Sequence, residues 1–185
     1  MTSTPERLFV SLALPDPCRA LVSELYDSLE GVTWTRPEQL HLTMRFLGDV
    51  DSDLAARIET SLAKIRVKSF LLPLEGVGRL PPRGSAKVLS VGIGRANTLL
   101  FQLRQKIDDA LLSAGWRGEL RNFNPHITVG RVLDTPQEAI DHWLYHHQEF
   151  VGPLFRVGSF QLMQSTLQPA GAVHTLRRDF ALVVD

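Results

Sequence analysis

The stretch Leu40-His41-Leu42-Thr43-Met44-Arg45-Phe46-Leu47-Gly48 alternates apolar side chains with others and stops at a glycine, so residues 40–47 read as a β-strand. Successive side chains of a strand point to opposite faces. His41 and Thr43 therefore share one face, and Leu42, Met44 and Phe46 take the other. A second stretch, His126-Ile127-Thr128-Val129-Gly130-Arg131-Val132-Leu133, has the same form, with His126 and Thr128 on one face and Ile127 and Val129 on the other.

Outward from these two strands, residues 7–14, 70–80, 87–93, 154–163 and 173–184 also have strand character. Between them, apolar residues recur at helical spacing. Asp16 as N-cap and Pro17 open a helix carrying Leu21, Leu25 and Leu29 before Gly31. Leu54, Ile58, Leu62 and Ile65 mark a second helix, and Leu99, Leu103, Ile107 and Leu111 a third that closes at Gly115. Thr135 and Glu138 form a capping box for a fourth. The order strand, helix, strand, helix, strand thus runs twice. His41 lies 85 residues before His126 (126 − 41), and Gly78 lies 80 before Gly158 (158 − 78), which suggests an internal duplication. The expected fold is α+β over residues 1–185 as a single bilobal domain. Two pseudo-symmetric lobes place antiparallel sheets along a central cleft, with helices on the outside, and a last strand closes the structure.

The 185 residues are 44% hydrophobic and 22% charged, ordinary globular usage. Lys plus Arg equals Asp plus Glu at 20 each, so no excess of positive charge calls for a long polyanion, although a short anionic ligand stays open. With Cys18 as the single cysteine there is no internal disulfide, and a zinc site would need histidines and carboxylates alone. The apolar run at residues 8–14 is cut at Pro15 and is too short to span a membrane. A cytoplasmic monomer is expected.

Two His-x-Thr pairs facing each other across a cleft suit phosphoryl transfer at a cyclic diester. The attacking and leaving oxygens lie on opposite sides of phosphorus, and one must lose a proton while the other gains one. Two imidazoles, each with an ordinary pKa near 6.5, can do both without metal or cofactor. The hydroxyls of Thr43 and Thr128 can hold the non-bridging oxygens.

The strings HLTMRFLG (residues 41–48) and NPHITVGRV (124–132) resemble the two-histidine (2H) phosphoesterase superfamily, specifically the RNA 2′,3′-cyclic phosphodiesterases also called 2′-5′ RNA ligases. RLFVSLALP at the start, Trp34-Thr35-Arg36-Pro37, and LMQSTLQPAGAVH (162–174) extend the likeness over nearly the whole chain. The resemblance implies His41 as the acid that protonates the departing 3′ oxygen and His126 as the base that activates water. It implies that Thr43 and Thr128 bind phosphate, that Arg131 adds positive charge and that Phe9 faces a base. Strict alternation sets Arg131 opposite His126 and Thr128, so its role requires a bulge or twist near Gly130. His174 stands where many relatives carry tyrosine. The implied partners are RNA ends or nucleotides bearing a 2′,3′-cyclic phosphate.

Each of these residues also has a plainer reading. A lone histidine in an apolar strand is usually structural, but a matched pair in repeated contexts is not. His142 and His146 have zinc-binding spacing, yet no third ligand follows, so they read as a solvated helix face. Arg177 and Arg178 read as an exposed strand end, and Trp34 and Trp116 suit packing as well as stacking on bases. Other functions also fit. One is action on another cyclic phosphate, such as ADP-ribose cyclic phosphate or a cyclic dinucleotide. The other is a non-catalytic RNA-end binding protein.

Overall fold

Strands and helices alternate in the expected order in the computed structural model, which describes residues 4–95, 98–169 and 171–184. They are β1 (Glu6–Ala13), α1 (Asp16–Ser23), β2 (Val32–Trp34), β3 (His41–Val50), α2 (Ser52–Leu62), β4 (Phe70–Leu72), β5 (Val77–Leu80), β6 (Val88–Gly92), α3 (Thr98–Ser113), β7 (His126–Val132), α4 (Gln137–His146), β8 (Phe155–Val157), β9 (Ser159–Gln168) and β10 (Gly171–Ala181). The class is α+β, as expected. Among the described residues, no helix is long and apolar enough to cross a membrane.

The main sheet is antiparallel and runs β10-β9-β1-β3-β7-β6-β5. Its two wings join at a single residue pair, Leu42 opposite Ile127. Beyond that pair the short strand β2 lies against β7, Val32 opposite Val132 and Trp34 opposite Gly130, and takes the place that β3 would otherwise fill. The wings splay from this junction. Leu8, Val10, Leu12, Leu42, Met44, Ile127 and Val129 are buried in one cluster with Ile58 of α2, Ile107 of α3 and Trp143 of α4. The helices therefore cover one face of the sheet, and the histidines lie on the other.

The duplication takes a form that periodicity alone does not show. Each wing is completed by a strand from the other repeat: β9, from the second, pairs with β1, while β5, from the first, pairs with β6. The small sheet β4–β8 also joins the two repeats, Leu71 opposite Arg156.

Several expected boundaries shift. The strand expected at 70–80 is two strands, β4 and β5, and that at 154–163 is also two, β8 and β9, with Gly158 between them. Helix α1 stops at Ser23. Leu25 stays buried, but its carbonyl accepts from Trp143 Nε1 (3.0 Å), and the chain turns back to pair as β2. The capping box does not form: α4 begins at Gln137 behind Pro136, and the Thr135 hydroxyl donates instead to the Glu30 carbonyl (2.8 Å). At that contact Gly31 has φ +78°, and a Cβ on it would lie 2.2 Å from the Asp134 carbonyl oxygen, so glycine is required there.

Candidate active site

Both motif strands carry a bulge at the same place. In β3, Thr43 lies opposite Ser11 of β1 but Arg45 lies opposite Val10, so Met44 is an extra residue. In β7, Thr128 lies opposite Ser90 of β6 but Gly130 lies opposite Leu89, so Val129 is extra. A bulge of one residue reverses the alternation beyond it. Residues 41–47 and 126–132 consequently share one burial sequence: half-buried, buried, half-buried, buried, buried, exposed, buried. Arg131 thus returns to the face of His126 and Thr128, where the resemblance expects it. Phe46 is corrected in the same way. It does not lie with Leu42 and Met44 but emerges on the histidine face, 66% exposed.

The two rings are set by the same device. His41 Nδ1–H donates to the Gln39 carbonyl (2.7 Å), and His126 Nδ1–H to the Asn124 carbonyl (2.8 Å), each two residues upstream. A carbonyl can only accept, so this contact fixes the proton on Nδ1 and leaves Nε2 for chemistry. Nε2 of His41 accepts from the Thr43 hydroxyl at 3.0 Å. Gln39 is itself anchored, its side-chain amide donating to the Ala172 carbonyl (2.9 Å).

Burial lowers the His41 pKa to about 4, assisted by the nearby His174, Arg131 and His126 and opposed by the Gln39 carbonyl. Both Arg131 and His126 thus act on His41 from the opposite wing. His174, to which the motifs assign no part, stands with its ring centroid 5.4 Å from that of His41. Burial and Arg131 lower its pKa too, and its Nδ1 is buried with no hydrogen-bond partner. Phe9 is 2% exposed, its ring 5.0 Å from His41 and 4.8 Å from His174, so it backs the histidine and offers little open surface to a base.

Other candidates lie outside the site. Trp116 is buried and donates to the Leu47 carbonyl (3.0 Å), while Trp34 stacks on Tyr26 (4.9 Å). Arg177 is engaged by Glu6 and Glu59 and is not the free strand end its position suggests. His142 and His146 stack 6.4 Å apart, and among the described residues no cluster of three or more His, Cys, Asp or Glu could hold a metal ion. A hollow of about 460 Å³ beside Glu75, Arg95 and Glu149 contains none of the motif residues.

The profile of the 2′-5′ RNA ligase superfamily matches residues 13–168. The chain belongs to this superfamily. Among its relatives, the RNA 2′,3′-cyclic phosphodiesterase of Archaeoglobus fulgidus is 34% identical over 177 residues, covering 94% of this chain and 99% of the other. That of Thermotoga maritima is 30% identical over 177 residues and covers 91% of each chain. The crystal structure of LigT from E. coli shares the fold, with a TM-score of 0.80, 24% identity and coverage of 98% and 99%. Membership in the 2′-5′ RNA ligase superfamily agrees with the family that the motif pair resembles.

Proposed function

We propose that this protein hydrolyses RNA 2′,3′-cyclic phosphate ends to 2′-phosphates without a metal, using His41 and His126 as its general acid and base. The observation that carries this reading is the matched pair of rings, each held through Nδ1 by an upstream carbonyl and each with Nε2 left for proton transfer. The names of these two relatives support the substrate class.

In this mechanism His126 Nε2 takes a proton from water as the water oxygen attacks phosphorus. The bond from phosphorus to the 3′ oxygen breaks, and His41 protonates that oxygen. Burial and neighbouring cations penalise the charged form of His41 and favour the neutral ring. An anionic diester beside the ring has the opposite effect and favours the imidazolium. Once Nε2 carries a proton it can only donate, so the Thr43 hydroxyl is freed to turn to a phosphate oxygen. Thr128 and Arg131 meet the remaining charge from the other wing, and Phe9 supports the nucleoside side of the site through His41 and His174. The reading needs no second copy, because every residue it names lies in one chain.

The test is turnover of an oligoribonucleotide with a 2′,3′-cyclic phosphate end, alongside ADP-ribose cyclic phosphate and a cyclic dinucleotide, with chelator present. Phosphorus NMR of the product is expected to show a 2′-phosphate. A 3′-phosphate reverses the roles of the histidines, and binding without turnover removes the catalytic reading.

A further inference from the structure

Each motif threonine faces a second hydroxyl across the sheet. Ser11 of β1 lies opposite Thr43 and Ser90 of β6 opposite Thr128, in both wings the last pair before the bulge. Residues directly opposite in an antiparallel pair send their side chains to one face, with Cβ atoms about 4.5–5.5 Å apart. Both serines therefore lie on the histidine face, beside the threonines. Ser11 is 1% exposed and Ser90 6%, and with Arg45 and Arg104 they are the buried polar or charged side chains among the described residues. The two arginines are bonded to Asp108 and to backbone carbonyls. Neither serine hydroxyl has a hydrogen-bond partner among the described residues, and on its other side Ser90 is paired with Gly78, which has no side chain to offer. A buried hydroxyl without a partner lowers stability, a cost that alanine avoids. The fold alone thus gives these two groups no use, and what they face is the cleft.

We infer that Ser11 and Ser90 are positioning residues of the phosphate site, each donating to the threonine oxygen opposite it so that the threonine proton is aimed at a non-bridging phosphate oxygen. A hydroxyl has one proton to give and two lone pairs that accept. Thr43 gives its proton to His41 Nε2 while that ring is neutral. When Nε2 itself carries a proton, the Thr43 proton turns to the phosphate and its oxygen accepts from Ser11. The chain of donors then runs from Ser11 through Thr43 to one phosphate oxygen, and on the other wing from Ser90 through Thr128 to the second. Donors in series polarise one another, so each serine strengthens the bond that its threonine makes to the anion. The serines touch neither water nor leaving oxygen and exchange no proton in the reaction; they act through the threonines. The anion completes a chain that is unfinished without it, which accounts for two buried hydroxyls the fold does not bond.

This inference rests on the cyclic-phosphate reading, and a double-mutant cycle separates the two. kcat/KM for adenosine 2′,3′-cyclic phosphate is measured in wild-type protein, in Ser11→Ala, in Thr43→Val and in the double variant, and likewise for Ser90→Ala with Thr128→Val. Each serine variant is expected to lose roughly 2- to 12-fold, the worth of one hydrogen bond. In the valine background the same serine change is expected to cost nothing further, because the oxygen it served is gone. Where the valine variants turn over too slowly to assay, the affinity for adenosine 2′-monophosphate, read by calorimetry, closes the same cycle. The urea midpoint of each serine variant is expected to equal or exceed that of wild type, since an unpartnered hydroxyl has been removed. A lowered midpoint, an undiminished rate, or a loss that persists in the valine background overturns the assignment of that serine and leaves the cyclic-phosphate reading intact. Wild-type protein that does not turn over the ester overturns both.

Discussion

Arg45 of β3 and Asp108 of α3 form a two-pronged ion pair, Nε to Oδ1 at 2.8 Å and Nη2 to Oδ2 at 2.6 Å. Arg104 joins from one helical turn away, its Nε 2.9 Å from Oδ2, and also donates to the Met44 carbonyl. From this centre Arg45 reaches the Glu119 carbonyl (3.3 Å) and Arg104 the Arg121 carbonyl (3.5 Å), with the Arg104 guanidinium 4.8 Å from the Phe123 ring. The segment so held ends at Asn124, whose carbonyl orients His126. The strand of the first motif therefore braces the loop that sets the second.

Removing Asp108 leaves two nearly buried guanidinium groups without their carboxylate. Breaking a buried pair in this way costs about 3–5 kcal/mol. Asp108→Ala is expected to lower stability by that amount, read from the urea midpoint, and to lower kcat at a temperature where the variant is still folded. A midpoint within experimental scatter of wild type refutes the brace.

On the proposed mechanism, replacing His41 or His126 removes a proton transfer and leaves the core untouched, since both residues are only half-buried. His41→Ala and His126→Ala should each lose at least about 100-fold in kcat/KM and keep the wild-type circular dichroism spectrum. Near-normal turnover in either excludes that ring from the mechanism.

Folding stability should depend on pH through His41. The unfolded chain binds a proton at this residue below about 6.5, but the folded protein, whose His41 is lowered to about 4, does not until much lower pH. The unfolded state thus holds the extra proton between these values, so stability is full above 6.5, declines as pH falls to 4, and loses nothing more from this group below that. The gap corresponds to on the order of 3 kcal/mol. His41→Gln should flatten this part of the curve, measured by urea unfolding from pH 4 to 7. Parallel curves for wild type and variant count against the burial of His41.

The charge of Arg131 acts on the same ring. Arg131→Gln removes a cation that helps hold the His41 pKa down, so the imidazole should titrate at higher pH in the variant. Proton NMR of the His41 ring reads this directly. A value unmoved or lowered places Arg131 away from the site.

Catalysis by proton transfer alone predicts indifference to chelators. Activity with EDTA is expected to match activity without it, and a loss restored by zinc or manganese brings a metal into the mechanism.

Read alone, the sequence determined the order of elements, the two apolar faces and the two His-x-Thr pairs, because each depends only on the spacing of neighbours along the chain. It also marked Arg131 as needing a bulge. Where the bulges fall is a matter of pairing: Met44 and Val129 are extra only relative to Ser11–Val10 and Ser90–Leu89, residues far off in the chain. That register moved Phe46 onto the histidine face against strict alternation. Tertiary structure also decided the exchange of β5 and β9, since periodicity says which side of a strand is buried and nothing about which strand lies beside it. Strand β2, three residues long, is too short for periodicity to detect, yet it separates the wings and opens the site. The brace of Arg45 with Asp108 and the low pKa of His41 arise from burial and from charges distant in sequence, which only the folded chain brings together.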